Sequence, residues 1–433
     1  MRGDLFVAHL AAHKCDRREA LGMAAGAGAA GVLAGLGLRT TAAEASVEAP
    51  EAAPAQVPKG RFDDEMFDVQ AVLRGAWDNT RFYRRGDQRG TLREVTPRKT
   101  ARALRLLDDR RPVRSYQLGD RLFNGYPAFG TRPPRQYNQR LVVGGYQPPA
   151  GFEGFLQSAT PSGPNQVSVH EERFASTPGS APYGVTYQIA TQLDNLNHIG
   201  VGPVFYGGHR GPQIAETWGT SRLGVEHAGP IVTRGILLDV LGVKRAQGAS
   251  DVIEEARNGR PHLASTYRIT IEDLEAAMRR ARIRRIERGD AVLIRTGWNQ
   301  LVNPKDPAGA HAPDDAEHPG HPEHQKYLRS EPGIYLREAR WLAEHRPALV
   351  GADTWALEVL GNPVSGENAF PVHQELIVHY GVRIGEGIVS DGLADDGIYE
   401  FVYINTPQNA TGATAGNAPP AALGQRPRRR RRR

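Results

Sequence analysis

From Tyr187 to Asp194 the side chains alternate in character. Tyr187, Ile189, Thr191 and Leu193 share one side of an extended chain, and Gln188, Ala190, Gln192 and Asp194 the other, because a strand turns successive side chains to opposite faces. The alternation predicts a strand with one apolar and one polar face, and a turn through Asn195 and Asn197 that swings His198 back toward Asp194. Residues 231–240 and 290–296 are apolar without alternation and read as buried strands; 348–352 and 382–388 read as further strands. Helical spacing marks 96–107, capped by Thr96-Pro97 with Ala101, Leu104 and Leu107 inward, and 270–281, with Ile271, Leu274 and Met278 inward. A third helix is predicted over 333–345, and a short one starts at Phe370-Pro371 and ends at Gly381. Glycine and proline break 113–146 into short strands and make 160–182 a loop.

Composition narrows this picture. A chain of 433 residues with 49 glycines, 31 prolines and 24% charged residues is globular and rich in loops. Its net charge of +6 belongs to the ends: Arg428 to Arg433 supply six positive charges, and residues 1–45 hold five basic against four acidic groups, leaving the body near neutral. The basic balance therefore gives no reason to expect a nucleic-acid partner. Arg17-Arg18 followed by an uncharged Gly/Ala-rich run and Ala43-Glu44-Ala45 read as a twin-arginine export signal over 1–45, too weakly apolar for stable membrane insertion. Residues 46–60 read as a linker, 61–407 as one catalytic domain and 408–433 as a disordered, arginine-rich tail. Cys15, the sole cysteine, falls in the export segment, which excludes disulfides, thiolate metal sites and a cysteine nucleophile from the body.

The remaining chemistry lies in carboxylates and imidazoles. Asp194 with His198 forms one pair, able to hold a metal or move a proton, or to be an ordinary polar strand end. His373 and Glu386, on a helix start and the strand that returns from it, form a second. His311, His318, His321 and His324 sit among proline and glycine in 303–330 and read as a solvated loop. Glycines in 200–208 are not spaced for phosphate; Phe205 and Tyr206 among them read as a lining for a flat substrate.

Taken in order, Asp87-Gln88-Arg89-Gly90-Thr91-Leu92, Thr191-Gln192-Leu193-Asp194 with His198, Gly351-Ala352-Asp353-Thr354-Trp355-Ala356, and Phe370-Pro371-Val372-His373 with Gly385-Glu386 resemble the cyclase family of metal-dependent hydrolases, which includes kynurenine formamidases and isatin hydrolases. The resemblance runs from Trp77 to Val402. It implies a single compact α/β domain with a mixed β-barrel-like core flanked by helices, of the swivelling β/β/α type. It also implies a homo-oligomer, dimer or tetramer, hydrolysing an aryl formamide of the N-formylkynurenine type or a cyclic amide; the alternatives are a lactam or lactone hydrolase of the same fold and a metal-free secreted protein that binds small molecules.

In the family motif His-x-Gly-Thr-His-x-Asp-x-Pro-x-His, the first two histidines fall on Gln188 and Gln192, the glycine on Ala190, the aspartate on Asp194 and the last histidine on His198. The resemblance assigns Asp194, His373 and Glu386 as ligands, with Gln192 and Gln188 in the positions of the missing histidines. His198 is the proton carrier, Glu386 shares the catalytic work, and Phe205, Tyr206 and Trp355 hold substrate. Replacing imidazole by amide shifts the shell toward oxygen, which favours one Mn²⁺, with Zn²⁺ or Mg²⁺ as alternatives.

Overall fold

The four apolar runs lie side by side at the centre of one nine-stranded sheet. The computed structural model describes residues 83–123, 126–131, 134–144, 156–158, 168–176, 187–302, 322–361 and 370–427, with Phe62, Val69 and Gln70. The export segment with Cys15, the linker, His311, His318, His321 and Arg428 to Arg433 lie outside the described residues.

In chain order the strands of this sheet are β1 (Arg114–Gln117), β2 (Gln192–Asp194), β3 (Ile231–Asp239), β4 (Ala291–Arg295), β5 (Leu349–Ala352), β6 (Arg383–Glu386), β7 (Glu400–Asn405), β8 (Ala415–Asn417) and β9 (Ala421–Gly424). Across the sheet the order is β1-β9-β7-β3-β4-β5-β6-β2-β8. The strands β3 to β6 are parallel, and every other pairing is antiparallel. The sheet curls into a half-barrel flanked by helices, so the expected mixed, barrel-like α/β core is present.

Continuous apolar strands arise here because both faces are covered. Ile236, Leu238, Val292, Ile294, Val350 and Ile384 face one core with Leu274 of α3 (Ile271–Ala281) and Leu342 of α5 (Leu336–Glu344). The intervening Leu237, Leu293 and Leu349 face a second core inside the curl, with Leu118, Leu193, Phe401 and Tyr403. Two further helices precede these: α1 (Pro97–Leu104) and α2 (Val240–Gln247); α4 (Pro322–Arg329) lies between α3 and α5. After β5, α6 (Pro371–His373) continues in wider turns over Gln374–Tyr380 and stops at the left-handed Gly381. Among the described residues no helix is long and apolar enough to cross a membrane.

The Asp87–Leu92 motif is a clamp. Gly90 adopts φ +54, and a Cβ there would come within 2.1 Å of the Gly381 carbonyl oxygen, so only glycine allows this approach. Buried Arg383 of β6 donates to the carbonyls of Arg89 (2.6 Å) and Gln88 (3.3 Å) and to Asn195 Oδ1 (2.8 Å), tying the clamp to the end of β2.

Five expectations need correction. The strand over 187–194 is only three residues long, because Ala190 turns left-handed at φ 52 and breaks the alternation. Within 160–182, Ser168–Ser176 is a strand, paired antiparallel with Pro134–Gly144 in a separate four-stranded sheet. Helix α1 turns Lys99 and Ala103 inward while Leu104 is 48% exposed, since Lys99 Nζ is drawn to buried Asp290 at 2.5 Å. The domain does not end at 407: β8 and β9 belong to the main sheet, and the expected loop around His324 contains α4, where His324 is buried.

Candidate metal centre

Strand β2 places its polar face by being sandwiched between β6 and β8. Gln192 pairs with Glu386 across β6 and with Asn417 across β8, and Asp194 pairs with Ile384 and Ala415. Asp194 and Glu386 thus arrive side by side from neighbouring strands. The third contributor comes from the start of α6, where His373 points at both carboxylates. Its Nε2 lies 3.2 Å from Glu386 Oε1 and 3.8 Å from Asp194 Oδ2. His198, after the turn, closes the group with Nε2 at 3.8 Å from the same Asp194 oxygen. One ligand atom each from Asp194, His198 and His373 lies within 4.8 Å of the others.

Each member is held from behind. Glu358 accepts the Nδ1 hydrogen of His373 (2.6 Å) and the backbone N–H groups of Val372 (3.1 Å) and His373 (3.2 Å), fixing the ring with Nε2 toward the cluster. Gln192 Nε2 donates to Glu386 Oε2 at 2.5 Å and reaches Asp194 Oδ1 at 3.5 Å. Gln188 lies beside the group, its amide 3.4 Å from Nδ1 of His198 and 3.2 Å from Thr414 Oγ1.

The electrostatics are those of a site short of positive charge. Burial, then the Asp194 charge, pushes Glu386 up to about 8 against the opposing pull of His373. Burial alone would lower His373, but hydrogen bonds to Glu358 and Glu386 hold it well above its ordinary value. Burial lowers His198 despite Asp194 beside it. Two buried oxygens, Asp194 Oδ2 and Gln192 Oε1, have no hydrogen-bond partner among the described residues. A cation held by these residues would satisfy both oxygens and the surplus carboxylate charge. Ligands about 2.0–2.2 Å from one ion stand roughly 3–4 Å apart, matching the 3.2 and 3.8 Å separations here. The residues fit a divalent metal.

Above the group opens a cavity of about 420 Å³. Tyr126, Tyr327, Trp355 and Phe370 give it aromatic walls, and Gln188, Gln192, His198, His373 and Glu386 line its polar end. The family described as "Putative cyclase" matches residues 126–359, more than half of the chain. The chain belongs to the cyclase family. A solved structure described as a novel cyclase is 25% identical, covering 78% of this chain and 94% of that one at a TM-score of 0.56. Isatin hydrolase A from Ralstonia solanacearum is 15% identical over 72% of this chain and 92% of its own, at a TM-score of 0.45. No curated protein matches.

Of the residues singled out by the cyclase-family motifs, Asp194, His198, His373, Glu386, Gln192 and Gln188 converge, and Trp355 lines the cavity. Phe205 and Tyr206 do not line it, which corrects their assignment to substrate. Tyr206 is 1% exposed, donates to Asp87 Oδ2 at 2.9 Å and packs edge-on against Tyr83. Phe205 packs over Gly200 and Gly211. Their place is taken by Tyr126, Tyr327 and Phe370, the last edge-to-face with both Trp355 and His373. Buried Glu331 was also not foreseen; it accepts the N–H groups of Trp355 (2.9 Å) and Ala356 (3.0 Å) and so fixes the turn that carries Trp355. Phe370, the first residue of a motif already singled out, was the one with a readable signal.

Proposed function

We propose that this chain is a metal-dependent hydrolase that opens an aryl formamide of the N-formylkynurenine type or a cyclic amide, with lactam or lactone opening as the alternative on the same fold. The observation that carries the reading is the meeting of Asp194, His198 and His373 at the polar end of an aromatic-walled cavity. Asp194, His373 and Glu386 would hold one divalent ion, Mn²⁺ in preference to Zn²⁺ or Mg²⁺, with the Gln192 carbonyl assisting. When bound, such an ion polarises a carbonyl and makes water acidic enough to attack near neutral pH.

The side chains do the rest. Trp355, Phe370 and the two tyrosines hold the flat part of the substrate and exclude water from it. His198 Nε2, facing the cluster, takes the proton of the attacking water and passes it to the leaving nitrogen. Glu358 keeps the His373 ring from turning away.

We extend the proposal to the setting: export through residues 1–45, assembly as a homodimer or tetramer, and no nucleic-acid partner. The test is a screen of chelator-stripped protein against formanilide, isatin-like lactams and aryl lactones, with Mn²⁺, Zn²⁺ and Mg²⁺ compared. Metal-dependent turnover of an amide is expected, lost in His198→Ala. Turnover that ignores the chelator would overturn the reading.

A further inference from the structure

Gln188 stands where the family motif has a histidine, yet its amide is turned to the far side of His198. Its terminal nitrogen lies 3.4 Å from His198 Nδ1 and 3.2 Å from the Thr414 hydroxyl, while the other ring nitrogen, Nε2, faces Asp194. A neutral imidazole has one N–H and one lone pair, so whatever faces Nδ1 decides which is presented at Nε2. An amide nitrogen there requires the Nδ1 lone pair and puts the proton on Nε2. An amide oxygen there accepts an Nδ1 hydrogen and leaves the Nε2 lone pair in the site. The Thr414 hydroxyl serves both arrangements, accepting from the amide nitrogen or donating to the amide oxygen.

We propose that Gln188, braced by Thr414, is the positioning residue that sets the tautomer of His198, and that reaction proceeds with the amide oxygen toward Nδ1. The proposal rests on the reading of His198 as proton carrier. In this structure the nitrogen end faces Nδ1, and a half-turn of the amide gives the working arrangement. That arrangement suits neutral imidazole and imidazolium alike, because the Nδ1 hydrogen stays in place while Nε2 gains and loses its proton. The nitrogen-facing arrangement would set two hydrogens against each other once the ring is charged.

The brace is built into the fold. Thr414 leads into β8, its carbonyl accepts the Asn195 N–H at 3.0 Å, and Asn417 Nδ2 donates to the carbonyls of Tyr187 (3.3 Å) and Ile189 (3.4 Å) on either side of Gln188. The C-terminal strand therefore holds both ends of the turn that presents the amide.

The experiment is ¹⁵N NMR of the Zn²⁺-loaded full chain labelled at histidine, with His198 assigned from its loss in His198→Gln. Wild type should show one tautomer, with a protonated Nδ1. Gln188→Glu, which can only accept, should keep it. Gln188→Met should mix the tautomers and lower kcat for formanilide or isatin by between about 10-fold and 10⁴-fold, the range open to a wrongly protonated histidine, with Zn²⁺ affinity by calorimetry unchanged. Thr414→Val should shift the mixture the same way by less. Unaltered His198 nitrogen shifts in Gln188→Met would overturn the inference, as would an unprotonated Nδ1 in the loaded wild type. A wild type that binds no Zn²⁺ and hydrolyses neither compound would sink the hydrolase reading instead, and the nitrogen shifts of the metal-free variants would still decide this one.

Discussion

A histidine that meets three carboxylates at once cannot behave as a free imidazole. His373 is gripped at Nδ1 by Glu358 and presents Nε2 to Glu386 and Asp194. Glu358→Gln keeps the volume but removes the charge that orients the ring, and should weaken divalent-ion binding by about 10- to 100-fold, read by titration calorimetry; unchanged affinity would show that Glu358 serves only the backbone turn. Away from the cluster, burial pushes Asp120 up to about 6, against the hydrogen bond that Tyr126 donates at 2.8 Å. An acid whose folded value is raised binds its proton more tightly folded than unfolded, so its contribution is complete below the unfolded value of 3.8 and is lost as pH rises through about 6. Denaturant titrations should find wild type losing up to about 3 kcal/mol more than Asp120→Asn across that window. Parallel curves would rule the shift out.

At the scale of elements, the turn at Ala190 governs how far the site could be read in advance. The family motif has glycine there, and φ 52 supplies the reason, because a left-handed backbone costs an L side chain about 1 kcal/mol. Ala190→Gly should therefore raise stability by about 0.5–1 kcal/mol in chemical denaturation, and a drop would mean that the methyl group's packing outweighs the strain. The alternation around Ala190 looked like eight residues of strand; the backbone turn, invisible in a hydrophobic pattern, leaves three. Strands β3 to β5 were legible because they are covered on both faces and largely apolar, and β6, Arg-Ile-Gly-Glu, because it returns directly from the turn at Gly381. β8 and β9 were not, because Ala-Gly-Asn and Ala-Ala-Leu-Gly carry almost no pattern and become strands only by pairing with β2, β7 and β1. The metal cluster was legible residue by residue, since ordered motifs fix identities. The aromatic wall was not, since Tyr126 and Tyr327 reach the cavity only through the fold.

Across the whole molecule, the C-terminal segment once read as a tail adds two strands to the half-barrel, β9 between β1 and β7 and β8 beside β2, and supports the site. A chain ending at Pro407 would expose β2 and β7 as open edges and release the brace on Gln188. It should fail to give a cooperative unfolding transition by circular dichroism, whereas a truncated chain that melts cooperatively near the full-length midpoint would show that β8 and β9 are dispensable. The central claim is that the polar end of the cavity is a divalent-cation site built on Asp194. Its most direct test is calorimetric titration of Mn²⁺ into chelator-stripped protein, side by side with Asp194→Ala. One ion per chain bound by the wild type and none by the variant is the result predicted. A wild type that takes up no ion, or a variant that binds as tightly, would contradict it.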